Sequence, residues 1–231
     1  MQKDEIIAII SDSVLLQGLP SEECKAFVEA GQMRCVAENC YLFHQEDPAD
    51  ACYFVLAGKV RLTQLTPGGK QVLVDIISPK RYFGLFASLA SMTYLVSAET
   101  IEESYIYWWD AESVRELMLR FPQMALNSMT LIVRRFARLQ DRVQKLATER
   151  VEQRVAHALL DVSRFVGKEI ENGTMIDMAL SHRDLAEMAG TNIYSISRVL
   201  HKWEDDDIVT IGRQRILLCD PDHLRILAEG G

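Results

Sequence analysis

The apolar positions of this chain change period twice. Over residues 1–30 they cluster as in short helices: Ile6, Ile7, Ile9 and Ile10, then Leu15 and Leu16. Leu19-Pro20-Ser21 opens a further helix, with Glu22 and Glu23 in the first turn, where the helix dipole favours acids. From about 33 to 110 the pattern shortens to β-rich runs such as Tyr53-Phe54-Val55-Leu56, Lys59-Val60-Arg61-Leu62-Thr63 and Val72-Leu73-Val74-Asp75-Ile76-Ile77. Turn chemistry at Asp47-Pro48, Ala57-Gly58 and Pro67-Gly68-Gly69 separates them, which predicts several antiparallel strands closing into a small barrel or roll. After Asp110 helical spacing returns, breaks at Phe121-Pro122, and runs on uninterrupted to about Ala147.

On that long helix Leu126, Met129, Val133, Phe136, Gln140, Val143 and Ala147 recur at alternating intervals of three and four, and Leu139 and Leu146 widen the stripe. This is the seam of a coiled coil. A core helix packed on its own domain is the plainer alternative. A helix of ~25 residues spans roughly 37 Å, however, longer than the roll before it, so a homodimer interface is expected at Leu126, Met129, Val133, Phe136, Gln140 and Val143. Arg134, Arg135, Arg138 and Arg142 keep its flanks wet. A further helix starts near 150 with Val151, Val155, Ala158, Leu159 and Val162 on one face, and Gly167 to Gly173 reads as a polar connection.

Residues 181–203 carry the most specific pattern. Ser181 can cap a helix, with Asp184 three residues on completing a capping box. Small Ala186 permits close helix crossing, Gly190 supplies a left-handed turn residue, and Thr191 or Asn192 caps a second helix. On the second helix Ile196, Val199, Leu200 and Trp203 share an apolar face, leaving Tyr194, Ser197, Arg198 and His201 opposite. Donors and a ring without an acid suit a recognition helix in the DNA major groove, where Arg takes guanine through two hydrogen bonds. Ile193, Lys202 and, from the preceding helix, His182 are expected beside them. After the acidic run Glu204-Asp205-Asp206-Asp207, read as a solvated helix end, the runs 208–211 and 215–218 form a hairpin wing that places Arg213 and Arg215 against phosphate.

Composition narrows the setting. A chain of 231 residues is long for one core and comfortable for two. No apolar run nears the ~20 residues of a membrane span, and Met1-Gln2-Lys3-Asp4-Glu5 lacks a basic lead-in, so a cytoplasmic protein without membrane association is expected. Five scattered cysteines point to reduced thiols. The net charge of -8 repels polyanions on average, so any DNA contact must be local. Residues 148–231 hold 10 Lys+Arg against 15 Asp+Glu, yet between Ala189 and Trp203 Arg198 and Lys202 stand without an acid.

The order of roll, long helix and winged helix-turn-helix resembles the CRP/FNR superfamily of bacterial regulators over nearly the whole chain. The stretch Tyr53-Phe54-Val55-Leu56-Ala57-Gly58-Lys59-Val60-Arg61-Leu62 is similar to the family's strand-glycine-strand signature, and Ile196-Ser197-Arg198 to the FNR branch, in which Ser and Arg read bases; Tyr194 stands where that branch has Glu. The resemblance implies an α+β chain: a β-roll (cupin-like jelly roll) sensor domain with N-terminal helices over 1–120, a dimerisation helix over 121–147, and a winged helix-turn-helix DNA-binding domain over 148–231. It implies a double-stranded operator and RNA polymerase as partners, and an effector pocket at Gly84, Leu85, Met92, Thr93, Tyr94 and Leu139. Family members that bind cyclic nucleotide use Gly-Glu for the ribose and Arg followed by Ser or Thr for the phosphate; here the matching positions are Gly84-Leu85 and Met92-Thr93. Met offers no charge-assisted bond to a phosphate, so cyclic AMP is not expected and the small-molecule effector is unknown.

An iron–sulfur cluster is not expected, because no cysteine precedes Cys24 and the Cys35-x4-Cys40 gap lacks a close third cysteine. Haem stays open as a gas or redox sensor, with His44, Cys52, Met92 and Tyr94 as candidate ligands. No catalytic constellation is legible from spacing, so no enzyme is expected. Pro67-Gly68-Gly69-Lys70 is a hairpin turn, and His157 and His201 lack metal partners. A ligand-responsive adaptor acting through protein contacts would need an acidic or apolar face where the recognition helix has neither.

Overall fold

A computed structural model describes residues 3–176, 180–212 and 215–230. The chain divides into two compact units, residues 1–138 and 139–231. In the first, α1 (Lys3–Ser11), a 3-10 turn at Val14–Leu16 and α2 (Ser21–Glu29) precede the strands β1 (Gln32–Val36), β2 (Tyr41–Phe43), β3 (Ala51–Ala57), β4 (Val60–Leu65), β5 (Gln71–Ile77), β6 (Tyr82–Phe83), β7 (Ser97–Thr100) and β8 (Ser104–Asp110), with α3 (Leu85–Leu89) after β6. They pair antiparallel in two four-stranded sheets ordered β1-β8-β3-β6 and β2-β7-β4-β5.

The unbroken apolar run of β3 follows from burial on both of its faces. Tyr53 and Val55 join Phe43, Val60, Leu62, Ile77, Phe83, Ala98 and Ile106 between the sheets. Cys52, Phe54 and Leu56 join Ile10, Leu15, Leu16, Phe27, Tyr107 and Trp109 in a second layer under the helices. Each fully buried side chain of this size stabilises the fold by about 1.5–3 kcal/mol. Trp109 stacks on Phe27 at 4.5 Å and its Nε1–H donates to Phe27 O at 2.8 Å, which fixes α2 on the roll. At the turn between β3 and β4, Gly58 has φ +84°, and a Cβ there would come within 2.2 Å of Ser104 Oγ and 2.7 Å of Glu103 O, so only glycine fits.

Asp110 caps α4 (Ala111–Arg120) by accepting from Ser113 N. Pro122 opens α5 (Pro122–Thr148), a position that needs no N–H. Its first turns are tied down: Met124 is buried, and Asn127 Nδ2 donates to Leu15 O at 3.0 Å and to Gln17 O at 2.8 Å. Beyond them Leu126, Met129, Ile132, Val133, Phe136, Leu139, Val143 and Leu146 are all exposed.

The second unit contains α6 (Val151–Val166), β9 (Gly167–Ile170), β10 (Gly173–Ile176), α7 (His182–Met188), α8 (Ile193–Asp205), β11 (Val209–Gly212), β12 (Arg215–Leu218) and α9 (Pro221–Glu229). Its sheet is ordered β11-β12-β10-β9. The polar connection expected at 167–173 is instead a hairpin, with Ile170 opposite Gly173. β9 is exposed from Lys168 to Ile170 and shows no alternation, and the alternation of β10 spans only four residues, too short a run to read. The acidic run is also more structural than expected, since Glu204 Oε1 accepts from Ile211 N at 3.0 Å and ties α8 to β11. The whole is α+β: a β-rich roll, a long helix and a helix-turn-helix with a wing.

Candidate nucleic-acid interface

Local chemistry builds the helix-turn-helix. Ser181 Oγ accepts from Asp184 N at 3.1 Å while Asp184 Oδ2 accepts from Ser181 N at 2.8 Å, closing the capping box of α7. Asn192 caps α8 by accepting from Ser195 N at 2.9 Å. Between them Gly190 takes φ +59°, with Leu146 Cδ2 against the space a Cβ would need. Ile196, Val199, Leu200 and Trp203 are buried as the helical period predicts.

A tie that the sequence did not suggest holds this pair. The Arg154 guanidinium, on α6, donates to Ala189 O at 2.7 Å and Gly190 O at 3.4 Å, at the end of α7, and to Glu149 O at 2.5 Å, just past the end of α5. Arg142 Nη2 adds a bond to Glu187 O at 3.3 Å. Guanidinium donors satisfy the carbonyls that a helix end leaves open.

On the opposite face of α8, Tyr194, Arg198, His201 and Lys202 are exposed and Ser197 is half-buried. Tyr194 is 87% exposed and Ile193 43%. His201 Nδ1 lies 2.7 Å from Ser197 O, an arrangement in which Nδ1–H donates to the carbonyl and Nε2 faces outward. Lys202 Nζ pairs with Glu152 Oε1 at 3.0 Å, so its charge is partly engaged within the unit. His182 is half-buried in the first turn of α7, and Arg215 is exposed at the start of β12. Arg213 lies outside the described residues. The α8 face thus presents Arg198, a partly engaged Lys202, an imidazole, a hydroxyl and an aromatic ring.

Within the first unit, the residues assigned to an effector pocket have different surroundings. Tyr94 is buried between the roll's sheets: its ring stacks on Phe43 at 3.6 Å, its hydroxyl donates to Ala51 O at 2.6 Å, and it accepts from Ala51 N at 3.2 Å. Burial, followed by the nearby Tyr53 hydroxyl, pushes the Tyr94 pKa upward, so the group stays a neutral donor. Phe43, Tyr53, Phe83 and Tyr94 fill this interior with rings. Gly84 precedes α3, and Leu85 points into the other apolar layer, with Phe54 and Trp109. Met92 is 52% exposed, in an open cleft of about 430 Å³ bordered by Asp50, Asp110, Glu112 and Arg115. Thr93 and Leu139 are exposed. Arg61 is held by Glu99 at 2.7 Å and Arg81 by Asp75 at 2.8 Å.

Of the candidate haem ligands, His44 is exposed with its ring tilted against Tyr41, and Met92 is exposed. Cys52 is fully buried in the layer beneath the helices, where burial, and then the charge of Asp110, push its thiol pKa upward, away from the thiolate a metal takes. Cys52 and Tyr94 occupy different clusters. No helix among the described residues is long and apolar enough to cross a membrane.

Comparison with known proteins bears on both units. Residues 33–121 match the cyclic nucleotide-binding domain and residues 153–227 the Crp-like helix-turn-helix domain. The chain is 30% identical over 218 residues to the cyclic AMP receptor protein of Thermus thermophilus, covering 94% of this chain and 98% of that one. The crystal structure of the Thermus thermophilus catabolite activator protein superposes with a TM-score of 0.55 at 29% identity, over 94% of this chain and 99% of that one. The c-di-GMP-responsive regulator CLP of Xanthomonas campestris shares the fold, with a TM-score of 0.73 at 18% identity over 87% of this chain and 100% of that one.

Proposed function

The chain belongs to the CRP/FNR family of DNA-binding transcription regulators, and from that membership we propose that it acts as a homodimer on a palindromic operator, under control of a signal other than cyclic AMP. The observation that carries the reading is the α8 face: a doubly capped helix-turn-helix presents Arg198 outward, with no hydrogen-bonding or ionic partner among the described residues and no acid beside it on the helix. Arg198 reads guanine, Ser197, His201 and Lys202 reach neighbouring edges or phosphates, and Arg215 in the wing meets phosphate. The exposed stripe of α5 supplies the second protomer, because eight large apolar side chains left in water on one helix are the surface a coiled coil covers. Two recognition helices related by a twofold axis then read two half-sites. RNA polymerase is the downstream partner.

The Thermus relative's name speaks of cyclic AMP, and the residues here argue against that ligand for this chain. An anion needs a cation or several donors when taken out of water. The matching position is an exposed Met92 in a cleft bordered by Asp50, Asp110 and Glu112, where Arg115 is already bonded to Ser88 O and Ser91 Oγ, and Tyr94 fills the roll interior where a ligand would sit. The experiment is a titration of the full-length protein against a randomised palindrome library, with calorimetry against cyclic AMP alongside. Enrichment of one palindrome by a dimer, and no saturable heat with cyclic AMP, is the expected pair of results. A monomer at micromolar concentration sinks the dimer reading, and tight cyclic AMP binding sinks the reading of the roll.

A further inference from the structure

The first turn of α8 is unusual for a surface meant to meet a polyanion, because its outward groups are apolar. Asn192 is spent on the cap, Ser195 is half-buried, and what remains exposed is Ile193 and the ring of Tyr194. The Tyr194 ring stacks on no other ring and its hydroxyl has no partner among the described residues. An aromatic ring left almost wholly in water is an unfavourable surface until something apolar covers it.

On the major-groove edge of DNA one group is apolar, the C5 methyl of thymine. Resting on the reading of α8 as a recognition helix, we infer that Tyr194 and Ile193 select thymine by its methyl group, next to the guanine taken by Arg198. The spacing fits: residues 194 and 198 are one turn apart and lie along the same face, so they meet neighbouring steps of one half-site. Arg198 contributes two directed hydrogen bonds and Tyr194 contributes dry contact. An acid at 194 would instead accept from cytosine N4.

The test uses the full-length protein and the palindrome enriched by it. Uracil replaces thymine at each half-site position in turn, which removes a methyl and nothing else. Affinity falls about fourfold for each methyl in contact. Tyr194→Glu, checked for a native melting profile, moves the preferred base at the same position from thymine to cytosine and leaves the guanine preference intact. Tyr194→Phe keeps the thymine preference. Equal binding of uracil and thymine duplexes, or an unchanged preference in Tyr194→Glu, overturns the inference while leaving DNA recognition standing. A uniform loss for Tyr194→Phe on all duplexes assigns the hydroxyl to phosphate and overturns it too. If wild type enriches no sequence at all, the reading of α8 falls first and this one with it.

Discussion

Helices α5 and α8 each leave one face without a partner, and the two faces differ in kind. On α5 the bare face is an apolar stripe from Leu126 to Leu146, while Met124 and Asn127 tie down its first turns and Arg142 bonds Glu187 O near its end. On α8 the apolar face is fully covered by its own unit, and the bare face carries Arg198, His201, Ser197 and Tyr194. An apolar stripe is satisfied by another protein surface, which needs shape and dryness. A face of donors and one ring is satisfied by base edges and phosphates, which need directed contacts. The same elementary unit, an amphipathic helix, therefore announces its partner by which face the fold leaves open.

Substitutions can break this contrast or sharpen it. The largest effect is expected at Trp203, fully buried under α8: Trp203→Ala should cost about 3–5 kcal/mol in chemical denaturation, whereas Phe136→Ala, at a site 58% exposed on α5, should leave the folding of dilute protein nearly unchanged. Comparable losses at both sites would erase the distinction. Next comes Phe136→Asp, which buries a charge only if the stripe is a seam. Dimer affinity by analytical ultracentrifugation should then fall by about 3 kcal/mol or more, roughly a hundredfold, with operator binding falling alongside.

Arg198→Ala is expected to cost ~1–3 kcal/mol on the operator and much less on a scrambled duplex. Arg215→Ala should weaken both duplexes alike and lower the salt slope by ~1. Equal loss on both duplexes for Arg198→Ala would reduce α8 to a phosphate clamp. The smallest effect belongs to the α7 cap: Ser181→Ala should destabilise the protein by ~1 kcal/mol in thermal melts, with the base preferences of α8 unaltered.

What the sequence made legible is what local rules govern. The Ser181–Asp184 box, the Asn192 cap, the α8 apolar face and the Pro122 start of α5 each depend on residues within a turn of one another. The roll was legible as strands and turns, since alternation and glycine punctuate it. Long-range arrangements were not legible. The family resemblance assigns Leu85 and Tyr94 to one effector pocket, yet Leu85 turns into the helix-facing layer while Tyr94 enters the inter-sheet core. The β9–β10 hairpin escaped notice because both strands are four residues long and β9 is exposed beyond Gly167, and the Arg154 tie because its partners Ala189 and Gly190 lie 35 and 36 residues away. A guanidinium that satisfies distant carbonyls leaves no periodic trace.

That Arg154 tie has a consequence for how the C-terminal unit opens. One planar group closes the carbonyl just past the end of the long helix and the two carbonyls at the turn of the helix-turn-helix. Fraying at either place removes donors from the other, so the two segments share one opening event on the timescale of amide exchange. Protection at the end of the long helix should rise and fall together with protection at the DNA-reading turn, even under conditions that leave every element folded. A signal that only loosens the last turn of that helix would then be felt at the operator as a change in the fraction of time the reading head is ordered.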